Sequence, residues 1–387
     1  MDRVAIVGAS LAAVHAIEGL RDHDFAGEIV LVGDEGHLPY DRPPLSKEAL
    51  RDGPEPELLR EPDWYADSGV TAMLGQPARC LSTSARSVLL ADGTDVPCDG
   101  LVITTGSDVR RLPTGNEHVH FLRNLDDAAR LHERLVAAGH VAIIGAGFIG
   151  LEVAATVADM GHTVTVVEVA PVPLARVLGD EVGEWLHRFH ARHGVSIDVG
   201  APALAVERDG SALRVVRGGA PDVRADLVVG ALGATPATGW LRGSGLALSD
   251  GVLCDRTLRT NRAQVVAAGD IARWYNPLFD ENMRVEQWTN AVEQGRHAAT
   301  TLLGGDETYN AVPYFWSDQF DAKIRFVGRA NGAEQVHVES ETDSSLVAVF
   351  ARHGTVVGAL CVNAPSRLSD LRAAILGGKA LAEVTRR

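Results

Sequence analysis

The sequence predicts an α/β protein built on two Rossmann-like dinucleotide-binding units, and three observations carry that expectation. An apolar strand at residues 4–7 runs into a turn of small residues and then into helical periodicity. The same order recurs from residue 141, this time with Gly145, Gly147 and Gly150 in full GxGxxG register. The chain has 387 residues, 46% of them hydrophobic and 22% charged, which gives room for two or three domains and excludes wholesale disorder. Its 40 glycines, without a three-residue period, read as many tight turns.

In the first unit, the strand at 4–7, the turn and the helix are followed by a second apolar strand at 29–32. That strand ends in Gly33, Asp34 and Glu35, acids placed where a ribose hydroxyl would be held. The turn itself departs from GxGxxG. It has Gly8, then Ser10 and Ala13, so Ser10 must let the backbone approach a pyrophosphate without the second glycine. Taken alone, it fits either a nucleotide site or an ordinary strand-to-helix turn.

The second unit is the stronger. A strand at 141–144 meets the three glycines, Gly161 ends the helix, and a strand at 164–167 finishes at Glu168, about 20 residues past Gly145 as the fingerprint requires. The first glycine permits the tight turn, the second lets backbone approach a pyrophosphate, and the third permits close helix–strand packing. Glu168 also discriminates between cofactors. A carboxylate accepts ribose hydroxyls but repels a 2′-phosphate, and Val169 and Ala170 supply no cation to receive one. At ~4 Å and an effective dielectric of ~20 that repulsion is about 4 kcal/mol as an upper bound, so NADH is the expected donor.

The apolar stretch 141–158 has the length of a membrane span, yet it contains Gly145, Gly147, Gly150 and Glu152, which the dinucleotide fold explains. The first residues hold too short an apolar run for a signal peptide, so a soluble, cytoplasmic protein without a membrane partner is expected. A net charge of −15 argues against nucleic acid as a partner. Cys80, Cys98, Cys254 and Cys361 form no CxxC pair, which speaks against a structural metal site and against a redox disulfide. Two dinucleotide sites in one chain point to one tight prosthetic group and one exchanging cofactor, with hydride passing from nicotinamide to flavin.

Further segments fall into a pattern: HLPYDRPPLSK at 37–47, VVAAGDIAR at 265–273, RVEQWTNAVEQGRHAA at 284–299 and FWSDQFDAKIRFVG at 315–328. Together they resemble, nearly end to end, the FAD-dependent NADH:ferredoxin reductases that supply cytochrome P450s and Rieske-type dioxygenases. The resemblance implies an FAD domain at residues 1–108 and 236–310, an NAD domain at 109–235, and a smaller C-terminal α+β domain at 311–387. It implies tightly bound FAD, NADH as donor, and a 2Fe–2S or other iron–sulfur ferredoxin as acceptor, with a P450 or dioxygenase downstream.

Site roles follow from the same resemblance. Gly8, Ser10, Leu11 and Ala12 would lie along the FAD pyrophosphate, with Asp34 and Glu35 at the adenosine ribose and Ala78 at the adenine side. Arg42, Pro43 and Lys47 would approach the flavin, Arg123 would support it, and Asp270 would meet the ribityl chain. Trp288 would open a helix aimed at the pyrimidine end, and Trp316 would form an aromatic wall. Gly145, Gly147, Phe148, Ile149, Gly150, Glu168, Arg176 and Gly233 would hold NADH, with Glu152 paired with Lys47 near the nicotinamide as the catalytic pair. From the residues alone, Lys47 and Arg176 could be solvated charges, Glu152 a solvent-facing helix residue, and the two tryptophans core aromatics. Arg284, Arg296, Lys323 and Arg325 are the expected basic patch for an acidic ferredoxin.

Rubredoxin reductases and NADH oxidases of the same fold are the neighbouring alternatives. A flavoprotein resembling apoptosis-inducing factor, with a non-catalytic role, is the alternative from another class. A disulfide reductase would require the cysteine pair that this chain lacks.

Overall fold

The computed structural model describes residues 1–84 and 86–385. In chain order, the elements that position the site begin with β1 (Arg3–Val7), α1 (Leu11–Asp22), β2 (Glu28–Val32), β3 (Val70–Met73) and β4 (Gly100–Ile103). They continue with β5 (His120–Phe121), β6 (His140–Ile144), α2 (Phe148–Asp159), β7 (Thr163–Val167), α3 (Ala175–Arg192), β8 (Val195–Asp198) and β9 (Leu227–Gly230). The last are β10 (Val265–Ala267), α4 (Trp288–Leu302), β11 (Tyr314–Gln319), β12 (Ala322–Gly328), β13 (Gln335–Glu341), β14 (Leu346–Arg352), β15 (Thr355–Val362) and α5 (Pro365–Leu376).

The chain divides into two compact units. The first comprises Met1–Asp41, Pro56–Asp108 and Thr235–Pro313. Its sheet runs β10-β4-β1-β2-β3, parallel throughout. Val4, Ala5 and Ile6 are all fully buried, so β1 reads as an unbroken apolar run, as expected for a parallel strand covered on both faces. α1 and α4 lie unusually close. A Cβ at Gly295 would stand 2.4 Å from the Ala12 carbonyl oxygen, so the contact requires glycine there.

The second unit comprises Arg42–Glu55, Val109–Ala234 and Tyr314–Arg387. It holds a parallel sheet in the order β8-β7-β6-β9-β5, with a core that includes Leu112, Phe121, Ile144, Val167 and Val228. It also holds an antiparallel sheet in the order β11-β12-β15-β14-β13, against whose β12 and β15 the helix α5 packs. The architecture is therefore two Rossmann-like parallel sheets and a C-terminal α+β layer. The stretch 141–158 is strand, turn and helix, and no helix among the described residues is long and apolar enough to cross a membrane.

Candidate dinucleotide sites and a buried ion pair

Gly8 follows β1 with φ +109, and a Cβ there would lie 2.3 Å from the Thr104 carbonyl oxygen, so the turn excludes any side chain. Ser10 precedes α1 in an ordinary extended conformation (φ −146), which serine adopts without strain. Ala13 is fully buried, showing that a methyl fits where the fingerprint more often has glycine. Leu11 opens α1, and Ala12 is buried beneath the turn at Gly269.

The acids after β2 are not equivalent. Asp34 is exposed and accepts the Glu35 backbone N–H, whereas Glu35 is half-buried and accepts the Tyr40 hydroxyl at 2.6 Å. Ala78 opens a strand at Ala78–Ser82 and pairs with Leu90. Asp270 sits in the short turn after β10 and accepts the Ser107 hydroxyl at 3.2 Å, while the Gly269 N–H donates to the Gln294 side chain at 2.9 Å. Trp288 begins α4 and its indole N–H donates to Asp41 at 2.7 Å.

Among the described residues of this unit, two amide atoms are buried without a hydrogen-bond partner, Gln287 Oε1 at the start of α4 and Gln294 Nε2 about two turns further along the same face. Burying such groups unpaired costs roughly 1–3 kcal/mol each, so a bound group offering both donors and acceptors is the natural complement. Together with the side-chain-free turn at Gly8 and the N-terminus of α4, these residues fit a flavin dinucleotide.

The glycines of the second turn separate cleanly by role. Gly145 has φ +108, with an added Cβ 2.3 Å from the Ala231 oxygen, and at Gly150 an added Cβ would lie 2.0 Å from the Gly145 oxygen. At Gly147 no other part of the protein lies within 4 Å of an added Cβ, so packing does not demand glycine there and the turn is open on that side. Glu168 is buried at the end of β7 and accepts two backbone N–H groups, Ala146 at 2.7 Å and Ala170 at 2.8 Å. It therefore braces the turn as well as facing it. Ile149 and Val169 are exposed. Phe148 instead stacks edge-on to Phe315 at 4.5 Å between ring centres. Gly233 is exposed at φ +86, and Arg176 is exposed in the first turn of α3, which Gly179 interrupts with a non-helical backbone.

Pro43–Ser46 form a short 3-10 turn that presents Lys47 to α2. Lys47 Nζ donates to Glu152 Oε2 at 2.8 Å, and also approaches the Pro43 carbonyl (3.3 Å) and Ser46 Oγ (3.4 Å). Glu152 is only 6% exposed, so it does not face solvent. It accepts Ser46 Oγ on the same oxygen as Lys47, and Ser317 Oγ on the other, both at 2.6 Å. Nearby, Arg42 donates to the Arg123 backbone carbonyl at 2.6 Å, so these two predicted residues also meet. On β11 side chains alternate, placing Trp316 with Tyr314 on the face opposite Ser317 and Gln319.

Ser46, Ser317, Gln319, His190, Gln287 and Gln294 were not singled out by sequence reasoning. Five of them lie inside the family-like segments (Ser46 in YDRPPLSK, Gln287 and Gln294 in EQW…NAVEQG, Ser317 and Gln319 in FWSDQ), and only His190 lies outside them. The basic patch departs from expectation. Arg284 is largely buried and bonds Glu286 and Asp250, Arg296 pairs with Glu18, and Lys323 and Arg325 share Asp318. Burial alone would raise the Asp318 carboxyl, but the hydrogen bond from Arg325 and the two cations outweigh it and hold it low. Burial pushes the Cys98 and Cys361 thiols up to about 11, and Cys254 higher, so none of these three is a ready nucleophile.

Residues 2–295 match the family model described as pyridine nucleotide-disulphide oxidoreductase, and residues 314–385 match the model described as reductase C-terminal. The chain is 35% identical, over 97% of its length and 95% of the relative's, to the anthranilate 1,2-dioxygenase system ferredoxin–NAD(+) reductase component of Burkholderia cepacia. It is 34% identical to the biphenyl dioxygenase system ferredoxin–NAD(+) reductase component of Paraburkholderia xenovorans, over 95% of this chain and 92% of that one. Among solved structures, the ferredoxin reductase for the CYP199A2 system from Rhodopseudomonas palustris superposes with a TM-score of 0.93 at 34% identity, covering 98% of this chain and 96% of that one. The covalent putidaredoxin reductase–putidaredoxin complex gives 0.92 at 30%, covering 97% and 93%.

Proposed function

The chain belongs to the pyridine nucleotide-disulphide oxidoreductase family, and from that premise we propose that it is a cytoplasmic, FAD-dependent NADH:ferredoxin oxidoreductase serving a cytochrome P450 or Rieske-type oxygenase. One observation carries the reading. The chain presents two side-chain-free dinucleotide turns, at Gly8 and at Gly145–Gly147, but no pair of cysteines with which to pass electrons to a disulfide. The relatives named as ferredoxin reductase components align with 97% and 95% of this chain. In this reading residues 1–108 and 236–310 bind FAD, 109–235 bind NADH, and 311–387 form the remaining domain.

When bound, a flavin accepts a hydride and releases electrons singly, which is the change of currency that an iron–sulfur acceptor needs. The chain's own residues bind and orient. The Gly8 turn and α1 receive the FAD pyrophosphate, Asp270 its ribityl hydroxyls, and the start of α4 with Gln287 the polar edge of the ring. The Gly147 turn receives the NADH pyrophosphate, with Glu168 selecting the unphosphorylated ribose. Lys47, held by Glu152, supplies a fixed positive charge at the reacting centre. Steady-state NADH oxidation with and without an added iron–sulfur ferredoxin tests the proposal. Turnover well above the oxygen-only rate supports it, while equal rates would leave an NADH oxidase.

A further inference from the structure

Glu152 is the end point of a buried chain of donors. Ser317 Oγ donates to Glu152 Oε1 at 2.6 Å, Gln319 Nε2 donates to Ser317 Oγ at 2.9 Å, and His190 Nε2 lies 2.8 Å from Gln319 Oε1. An amide oxygen only accepts, so the proton at the last link is on His190 Nε2. Every link then points its hydrogen toward the carboxylate. Ser317, Gln319 and His190 are all at most 1% exposed. Ser317 and Gln319 share one face of β11, and His190 comes from α3.

The far end of the chain is closed. Among the described residues His190 Nδ1 has no hydrogen-bond partner, and its ring is walled by Phe189 and Phe320. Such an arrangement cannot hand protons to solvent; it can orient and stabilise a charge. Two charges taken out of water lose several kcal/mol of hydration each, and their attraction repays this only where the remaining lone pairs are satisfied. Glu152 meets that condition with three donors, and the ammonium of Lys47 finds three acceptors in Glu152, Pro43 and Ser46.

We propose that Ser317, Gln319 and His190 are positioning residues that fix the Glu152 carboxylate and, through it, the ammonium of Lys47. The proposal rests on the reading of Lys47 as a residue acting at the flavin, and it adds that the C-terminal domain sets that residue's position.

The test uses the FAD-loaded enzyme and three substitutions, Ser317→Ala, Gln319→Met and Lys47→Ala, with Ser317→Thr and His190→Gln as variants that keep a donor. In stopped-flow with NADH, Ser317→Ala and Gln319→Met should lower the limiting rate of flavin reduction about tenfold, the size of one lost charge-assisted hydrogen bond, at unchanged NADH affinity. Ser317→Thr and His190→Gln, which keep a donor at their positions, should retain most of the wild-type rate. Independently of turnover, reductive methylation followed by mass spectrometry should label Lys47 at least about fivefold faster in Ser317→Ala, since a buried network restricts the amine. Nitrogen NMR of labelled histidine should find His190 protonated on Nε2 alone at neutral pH. A slow Lys47→Ala beside unaffected Ser317→Ala and Gln319→Met, or a His190 proton on Nδ1, overturns the positioning role alone. An unaffected Lys47→Ala overturns the functional reading beneath it.

Discussion

The carboxylate of Glu168 accepts the backbone N–H of Ala146 in a 2.7 Å hydrogen bond, tying the end of β7 to the second dinucleotide turn. The acid that should read the ribose is thus also part of the frame that shapes the turn. Its two oxygens accept from Ala146 and Ala170, which fixes the orientation of the carboxylate.

For that reason Glu168→Ala should do two things at once. It should narrow the preference for NADH over NADPH by removing the repulsion of a 2′-phosphate, an effect whose upper bound is about 4 kcal/mol. It should also raise KM for NADH, because the turn loses its brace. The wild-type enzyme should use NADH far better than NADPH, and kcat/KM values within about threefold for the two donors would defeat the argument, since that gap is under 1 kcal/mol.

Breaking the buried ion pair at one end leaves the other charge stranded. Lys47→Ala should therefore lower stability by about 3–5 kcal/mol as well as slow flavin reduction, and adding Glu152→Gln should return much of the stability without restoring the rate. Thermal unfolding and stopped-flow reduction by NADH on the same three proteins separate the two effects. A double variant as unstable as Lys47→Ala would contradict the pairing.

Ferredoxin docking should depend on some of the expected cations and not on others. Lys323 is 57% exposed on its side chain and Arg296 52%, whereas Arg284 is 11% exposed and balanced by two acids. Lys323→Glu and Arg296→Glu should raise the apparent KM for ferredoxin and leave reduction of an uncharged quinone unchanged. Ferredoxin turnover should fall as salt shortens the screening length to about 8 Å. Arg284→Glu should behave as a folding defect instead. Docking insensitive to salt and to both surface reversals would point to an apolar contact.

Burial lowers the pKa of His190 from 6.5 to about 4. The unfolded chain therefore binds a proton in that interval which the folded chain refuses, so this residue's contribution to stability is full above pH 6.5 and is lost as pH falls toward about 4. Melting temperature should drop across that window, and His190→Gln should drop less steeply over the same range. Parallel curves for the two proteins would show that the ring titrates normally.

How far the chain could be read in advance depended on the kind of interaction. The second turn was legible because Gly145 and Gly150 answer to backbone geometry within six residues, and Gly147 and Glu168 complete the same local motif. Ser10 and Ala13 left the first turn ambiguous; the structure shows an unstrained extended backbone at one and space for a methyl at the other. The donor chain was illegible as a chain, because His190 and Gln319 stand 129 residues apart and no periodicity links them. The four expected cations were legible as residues, but their acids were not, since Glu18 reaches Arg296 from 278 residues away. Local geometry is written in spacing, while long-range pairing is written only in the fold.

The order of synthesis gives the strand β11 a further meaning. Residues 1–313 leave the ribosome before Ser317 does, and they already contain both dinucleotide turns, Lys47 and Glu152. A nascent or prematurely terminated chain of that length therefore carries its central carboxylate one hydroxyl short. Completion of the last domain, and not the arrival of either nucleotide segment, is the event that brings the last donor, Ser317 Oγ, to Glu152.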